Sequence, residues 1–221
     1  MANPKPTTVL ITAFGPFPGA PRNPTPGIMA RVVAGRLGRE PGVRLVPAIL
    51  ATAYKAIDKL DELTERLEPD VVLHLGVAMR ARAARVETRA RNRAAPYRAD
   101  GSGQAPKKPM LGTRAPAFRP VRAPVRRMAE RMAACGVATE LSRDAGDYLC
   151  NAALWRSLKL AKRTRRLVGF IHVPATPDIR APKPIRPDRR PRAVFTEPAL
   201  ATAIEAGLGV MLAGRVASRR G

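Results

Sequence analysis

The sequence predicts an α/β fold, a three-layer α/β/α sandwich with a mostly parallel, twisted central sheet, in a single domain over 1–221. Three observations carry this expectation. Apolar, β-branched runs alternate with amphipathic segments. The central runs are apolar on both faces, as in sheets covered on two sides. A chain of 221 residues, 45% hydrophobic, is long enough to bury a core of ordinary size without metal or disulfide staples.

The elements follow in order. TTVLITAF (7–14) is a strand ending in the turn-rich FGPFPGAPRNPTPG, and a helical pattern runs from Gly27 to Leu37. VRLVPAIL (43–50) is a second strand. AIDKLDELTERL (56–67) places Ile57, Leu60, Leu63 and Leu67 on one helical face, and PDVVLHLGVA (69–78) is a buried central strand. VRRMAERMAACG (125–136) is a helix closed by Gly136, VATEL (137–141) a strand, and DYLCNAALWRSLKLA (147–161) a helix. RLVGFIHVPA (166–175) is a strand and LATAIEAGLGVMLAGRVA (200–217) a final helix. Residues 93–120 have no clear period and predict a long, basic, mobile surface loop, and 176–193 a basic, proline-rich segment.

Charge is the most conspicuous compositional feature. Forty Lys and Arg against 17 Asp and Glu give a net charge of +23, which makes non-specific binding of polyanions an expectation. A dedicated nucleic-acid module is disfavoured. Aromatics are 4% of the chain, too few for a stacking platform, and no zinc knuckle, helix-turn-helix or RNP-like pattern is present. No apolar run approaches the roughly 18 residues of a membrane helix. The N-terminus has one lysine and a threonine-interrupted apolar run, unlike a secretory signal, so the expected location is the cytoplasm, with no membrane partner. Cys135 and Cys150 are expected as free thiols.

In parallel sheets, reactive groups collect at the carboxyl ends of strands. Cys150 lies near the start of a helix, where unpaired N–H groups and the positive end of the dipole favour a thiolate and an oxyanion. His172 closes an apolar strand just before Pro174; the 22 residues from Cys150 suit one helix and a return strand. Glu87, the single acid in ARVETRARN, is a candidate to orient His172. Each has a plainer reading. A helical cysteine is often a small core hydrophobe, and Cys135 is assigned to that class; His74, in VVLHLG, is assigned as a hydrogen-bonded core residue; Glu87 alone could neutralise Arg85, Arg89 or Arg91. The cysteine and histidine spacings match no zinc motif, and neither metal nor cofactor is required.

The words around these residues narrow the choice. TAFGPFPGAPRNP, HLGVA with Glu87 eleven and Asn92 sixteen positions beyond Gly76, DAGDYLCN and GFIHVP occur in this order. From about Val9 to Pro174 they resemble the pyroglutamyl peptidase I, or pyrrolidone carboxyl peptidase, family. The resemblance implies a three-layer α/β/α cysteine peptidase that removes N-terminal pyroglutamate from peptides. It implies Cys150 as nucleophile, His172 as general base and acid, and Glu87 as third triad member. It further implies Phe14 and Phe17 sandwiching the lactam, Asn23 hydrogen-bonding it, and Tyr148, Leu149 and Thr52 lining the pocket. Homo-oligomers are also implied, although +23 per chain resists close association. Three departures stand out. Ala13 replaces a usual glycine, Val77 stands where some members place a lactam-binding glutamine, and Met79-Arg80 where Gly-Gly-Arg is common. These leave open a thiol amidase of different acyl specificity, and the charge leaves open a nucleic-acid-associated protein on a former peptidase scaffold.

Overall fold

Strand alternation decides which helical layer each side chain meets. The computed structural model describes residues 5–17, 21–162, 164–177 and 194–220. In chain order the elements are β1 (Thr7–Phe14), α1 (Thr25–Ala34), β2 (Val43–Leu50), α2 (Lys59–Leu67), β3 (Val71–Ala78), β4 (Ala84–Glu87), β5 (Arg89–Arg91), β6 (Phe118–Pro120), α3 (Val125–Ala133), β7 (Thr139–Ser142), α4 (Leu149–Leu160), β8 (Leu167–Pro174) and α5 (Glu197–Arg220). Six strands form one sheet in the order β2-β1-β3-β8-β4-β7. The first four are parallel; β4 runs antiparallel to β8 and carries β7 with it.

Period-two alternation gives this sheet two different faces. Val9, Ile11, Leu73, Leu75, Ile171 and Val173 form a continuous apolar cluster with α1, α3 and α5, through Ile28, Met128, Leu208 and their neighbours. Leu10, Val72, Val168 and Phe170 turn to the other side, where Leu60 of α2 and Leu154, Trp155 and Leu158 of α4 cover them. Each such fully buried side chain contributes about 1.5–3 kcal/mol. Both layers of the expected sandwich are therefore present.

Several boundaries differ from the expected ones. The first helix stops at Ala34, before Gly35, and Leu37 belongs to a separate 3₁₀ turn. The second begins as a 3₁₀ turn at Tyr54–Asp58. Strands β4, β5 and β6 were not expected at all; they are four, three and three residues long, too short to show a period. Helix α4 starts at Leu149 rather than Asp147. Gly146 adopts φ +83 and Tyr148 is extended at φ −113, so the chain cannot become helical earlier.

The 93–120 segment is tied down by three side chains. Asn92 Oδ1 accepts from Leu111 N and Gly112 N. Asp100 accepts from Tyr54 N, Ser102 N and Gln104 N. Asn151, on α4, accepts from Arg91 N and donates to the carbonyls of Arg91 and Arg93. The basic, proline-rich segment lies outside the described residues from 178 to 193.

Candidate active site

The carboxyl ends of β1, β3 and β8 meet the start of α4 at one rim of the sheet. Register places Gly76 of β3 directly beside His172 of β8, and alternation turns both toward α4. His172 is buried, and its Nδ1–H donates to Glu87 Oε1 at 2.8 Å. Glu87 is fully buried at the end of β4. It does not neutralise the arginines around it: Arg85 pairs with Glu140, and Arg91 with Asp144.

With Nδ1 committed to Glu87, the other ring nitrogen is left for Cys150, which lies within hydrogen-bond reach of the imidazole. Burial alone would push the His172 pKa down. Negative charge on Cys150, its hydrogen bond to the ring, and the Glu87 carboxylate outweigh burial and raise it to about 9. Cys150 occupies the second helical position of α4, where backbone N–H groups have no intrahelical acceptor. The first turn of α4 contains no acidic residue to oppose an anion there.

Gly76 is what lets the thiol approach. A Cβ at this position would stand 3.0 Å from Cys150 Sγ and 2.8 Å from Phe170 Cζ. The Phe170 ring in turn lies 4.5 Å, centroid to centroid, from the His172 ring. A side chain at residue 76 would displace the sulfur or the aromatic ring that supports the imidazole.

Cys150 and His172 open into a cavity of about 170 Å³. Phe14, Phe17, Asn23, Thr52 and Val77 line one part of it, and Tyr148 and Leu149 another. All the expected pocket residues thus gather around one space, with Glu87 behind His172. The volume is below the roughly 300–1,000 Å³ of drug-sized sites and suits a single small residue. Asn23 is partly occupied: its Oδ1 accepts from Thr25 N and Thr25 Oγ1, and one Nδ2–H goes to Gly15 O. One amide hydrogen remains for a ligand. Thr52 Oγ1 is bonded to the carbonyls of Gly15 and Pro16, which holds the Phe14–Phe17 turn in place. Of the departures, Ala13 packs on the opposite face of the sheet, whereas Val77 does line the cavity.

Sequence reasoning missed several members of this rim. Arg98, Ala145, Gly146 and Asp147 also line the cavity. Arg98 stacks 4.2 Å over the Tyr148 ring, and Tyr148 Oη donates to Ala99 O. Asp147 accepts from Tyr97 Oη at 2.7 Å. Asn151, adjacent to Cys150, staples α4 to β5 and thereby fixes the depth at which Cys150 sits; its presence in the word YLCN was the available signal. Cys135 is a correction of another kind. It is exposed rather than in the core, because it falls after the last turn of α3, with Sγ facing Arg131 O. His74 is buried and hydrogen-bonded to Thr12 and Ser157. Among the described residues, no three His, Cys, Asp or Glu side chains gather as metal ligands.

A partly buried thiol beside an imidazole that a buried carboxylate orients, at a helix start and opening on a small pocket, is the arrangement of a cysteine peptidase on an α/β scaffold. The model of the pyroglutamyl peptidase family matches residues 7–207, and the chain belongs to that family. It is similar to the pyrrolidone-carboxylate peptidases of Gloeobacter violaceus, 32% identical over 172 residues covering 77% of this chain and 82% of that one, and of Pyrococcus furiosus, 29% identical over 173 residues with the same coverage. Its fold superposes on the pyrrolidone carboxyl peptidase from Thermococcus litoralis with TM-score 0.85 at 28% identity, covering 96% of each chain.

Proposed function

We propose that the protein releases N-terminal pyroglutamate from peptides through an acyl-enzyme, with Cys150 as nucleophile, His172 as base and acid, and Glu87 orienting the imidazole. The observation that carries this reading is the series Glu87–His172–Cys150 at the mouth of a 170 Å³ cavity walled by Phe14 and Phe17. His172, raised to about 9, is basic enough to take the proton that the Cys150 sulfur gives up as it attacks. The sulfur attacks the pyroglutamyl carbonyl. The resulting oxyanion is met by backbone N–H groups at the start of α4. His172 then protonates the departing amine, and water, deprotonated by His172, cleaves the thioester.

Pyroglutamate is a flat, neutral ring with one N–H, one C=O and no ammonium. The rings of Phe14 and Phe17 suit its faces, and the remaining Nδ2–H of Asn23 suits its carbonyl. Val77 offers no hydrogen bond, so polar recognition rests on Asn23 and backbone groups. A prolyl residue has the same shape without the lactam carbonyl. A site built on hydrogen bonds rejects such an analogue by on the order of 10⁴. The cytoplasm, where both thiols stay reduced, is part of this reading.

The test is hydrolysis of a chromogenic pyroglutamyl amide beside its prolyl and glutaminyl counterparts. Wild-type protein should turn over the first alone and lose that turnover on thiol alkylation. Cys150→Ala and Cys150→Ser should each lower kcat by about 10⁴ or more. Undiminished turnover in both variants would remove the proposed nucleophile.

A further inference from the structure

A second, larger concavity runs along α4, from Ala152 to Lys162 just past its end, and takes no part in the chemistry above. Residues 111–116, Arg119 and the outer face of α4 enclose about 420 Å³, and a neighbouring hollow of about 340 Å³ shares Pro116, Arg119 and Lys162 with it. The two adjoin at these shared residues and are taken together as one groove. Its lining is strongly one-sided in charge. Arg114, Arg119, Lys159 and Lys162 face the first part, Arg122 and Arg166 the second. The single acid among these lining residues, Asp58, acts on Arg156, which already forms an ion pair with Asp61. None of Arg114, Arg119, Lys159 and Lys162 forms an ion pair with a described carboxylate.

Arg119 is the most telling member. It lies 3.8 Å over the Trp155 ring and donates Nη1–H to Trp155 O, an arrangement that holds a partly buried guanidinium in place without an anion. Burial disfavours its charge, a cost that an incoming anion would offset. Arg89 lies over the Phe118 ring as Arg119 lies over Trp155, while Phe118 stays half exposed and Tyr54 also lines the first hollow. A concave lining of seven cations and one acid suits a polyanion whose charge is dense and continuous, which a chain of phosphates supplies.

We propose that the groove from Arg114 to Arg122, across Arg119, Lys159 and Lys162, is a binding site for linear inorganic polyphosphate. The proposal is independent of the peptidase reading, because none of these residues lines the Cys150 cavity.

The experiment measures binding of labelled inorganic polyphosphate to the full chain by fluorescence anisotropy across a salt series. Two triple variants of equal charge are compared with wild type. Arg114→Gln/Lys159→Gln/Lys162→Gln removes three of the groove's charges. Arg126→Gln/Arg127→Gln/Arg131→Gln removes three exposed charges from α3, on the other side of the sheet. The groove variant should bind more weakly by on the order of tenfold and lose about three from the slope of log K against log salt. The α3 variant should stay near wild type, and thermal midpoints verify that both fold. Equal weakening in the two variants would show binding by diffuse net charge and overturn the site. So would undetectable binding, or tighter binding of a single-stranded RNA matched in charge.

Discussion

Two histidines on neighbouring strands, turned to the same face of the same sheet, meet opposite fates. His74 of β3 and His172 of β8 are both buried, and both lie beside Phe170, at 5.8 and 4.5 Å between ring centroids. His74 lies between neutral hydroxyls, Thr12 Oγ1 at 2.7 Å and Ser157 Oγ at 2.9 Å. A neutral imidazole satisfies both, donating through one nitrogen and accepting through the other, and burial pushes its pKa down to about 3. His172 lies between Glu87 and Cys150, and its pKa rises to about 9 despite the same desolvation. Burial is therefore common to the pair; the sign of the shift is set by whether the neighbours carry charge.

The largest test of this comparison acts on the charge and leaves the shape. Glu87→Gln keeps an oxygen to accept Nδ1–H from His172 and removes the carboxylate. Turnover of a pyroglutamyl amide should fall by about 10²-fold or more. The pH profile is the sharper readout. In wild type, His172 loses its proton as pH rises through about 9, so kcat/KM should fall on that alkaline limb. Without the negative neighbour the limb moves to lower pH. An unmoved limb together with wild-type rates would reduce Glu87 to a structural acid.

A smaller effect is expected at Gly76, which separates the two environments along β3. Gly76→Ala sets a methyl 3.0 Å from Cys150 Sγ and 2.8 Å from Phe170. The protein should fold with a loss of about 1–3 kcal/mol, with kcat down by on the order of tenfold or more and KM nearly unchanged, since the cavity between Phe14 and Tyr148 is spared. A rise in KM alone would place Gly76 in recognition instead.

The sequence revealed the fold where elements are long and their patterns local. The eight-residue strands β1, β2, β3 and β8 and the amphipathic α2 and α3 could be read directly. Strand β4 could not: ARVE offers only Ala84 and Val86 as inward residues, and its antiparallel direction follows from pairing with a strand 85 residues away. The site divides along the same line. Cys150 and His172 sit in distinctive words, and the pocket residues came with the family resemblance. Arg98 reaches the cavity on a loop that Asp100 and Asn151 pin across α4, contacts spanning 46 to 60 residues. Nothing local encodes these. Cys135 failed for a related reason, since helical spacing alone does not say that α3 ends at Ala133.

The mildest prediction concerns His74. A group bound to a proton only in the unfolded chain makes stability rise with pH. Between about 3 and its ordinary 6.5, His74 is neutral when folded and charged when unfolded. It therefore subtracts stability as pH falls through that window, at most about 1.4 kcal/mol per pH unit. His172 has the reverse sign: its contribution is full below 6.5 and is lost as pH rises toward 9. His74→Gln retains a donor and an acceptor for Thr12 and Ser157 but cannot titrate. Thermal or urea unfolding between pH 4 and 6.5 should then show a flatter acid-side slope than wild type, with the alkaline limb of kcat/KM still near 9. A shifted limb would mean that the two imidazoles communicate through Phe170, and that the charge around His172 is not set by Glu87 and Cys150 alone.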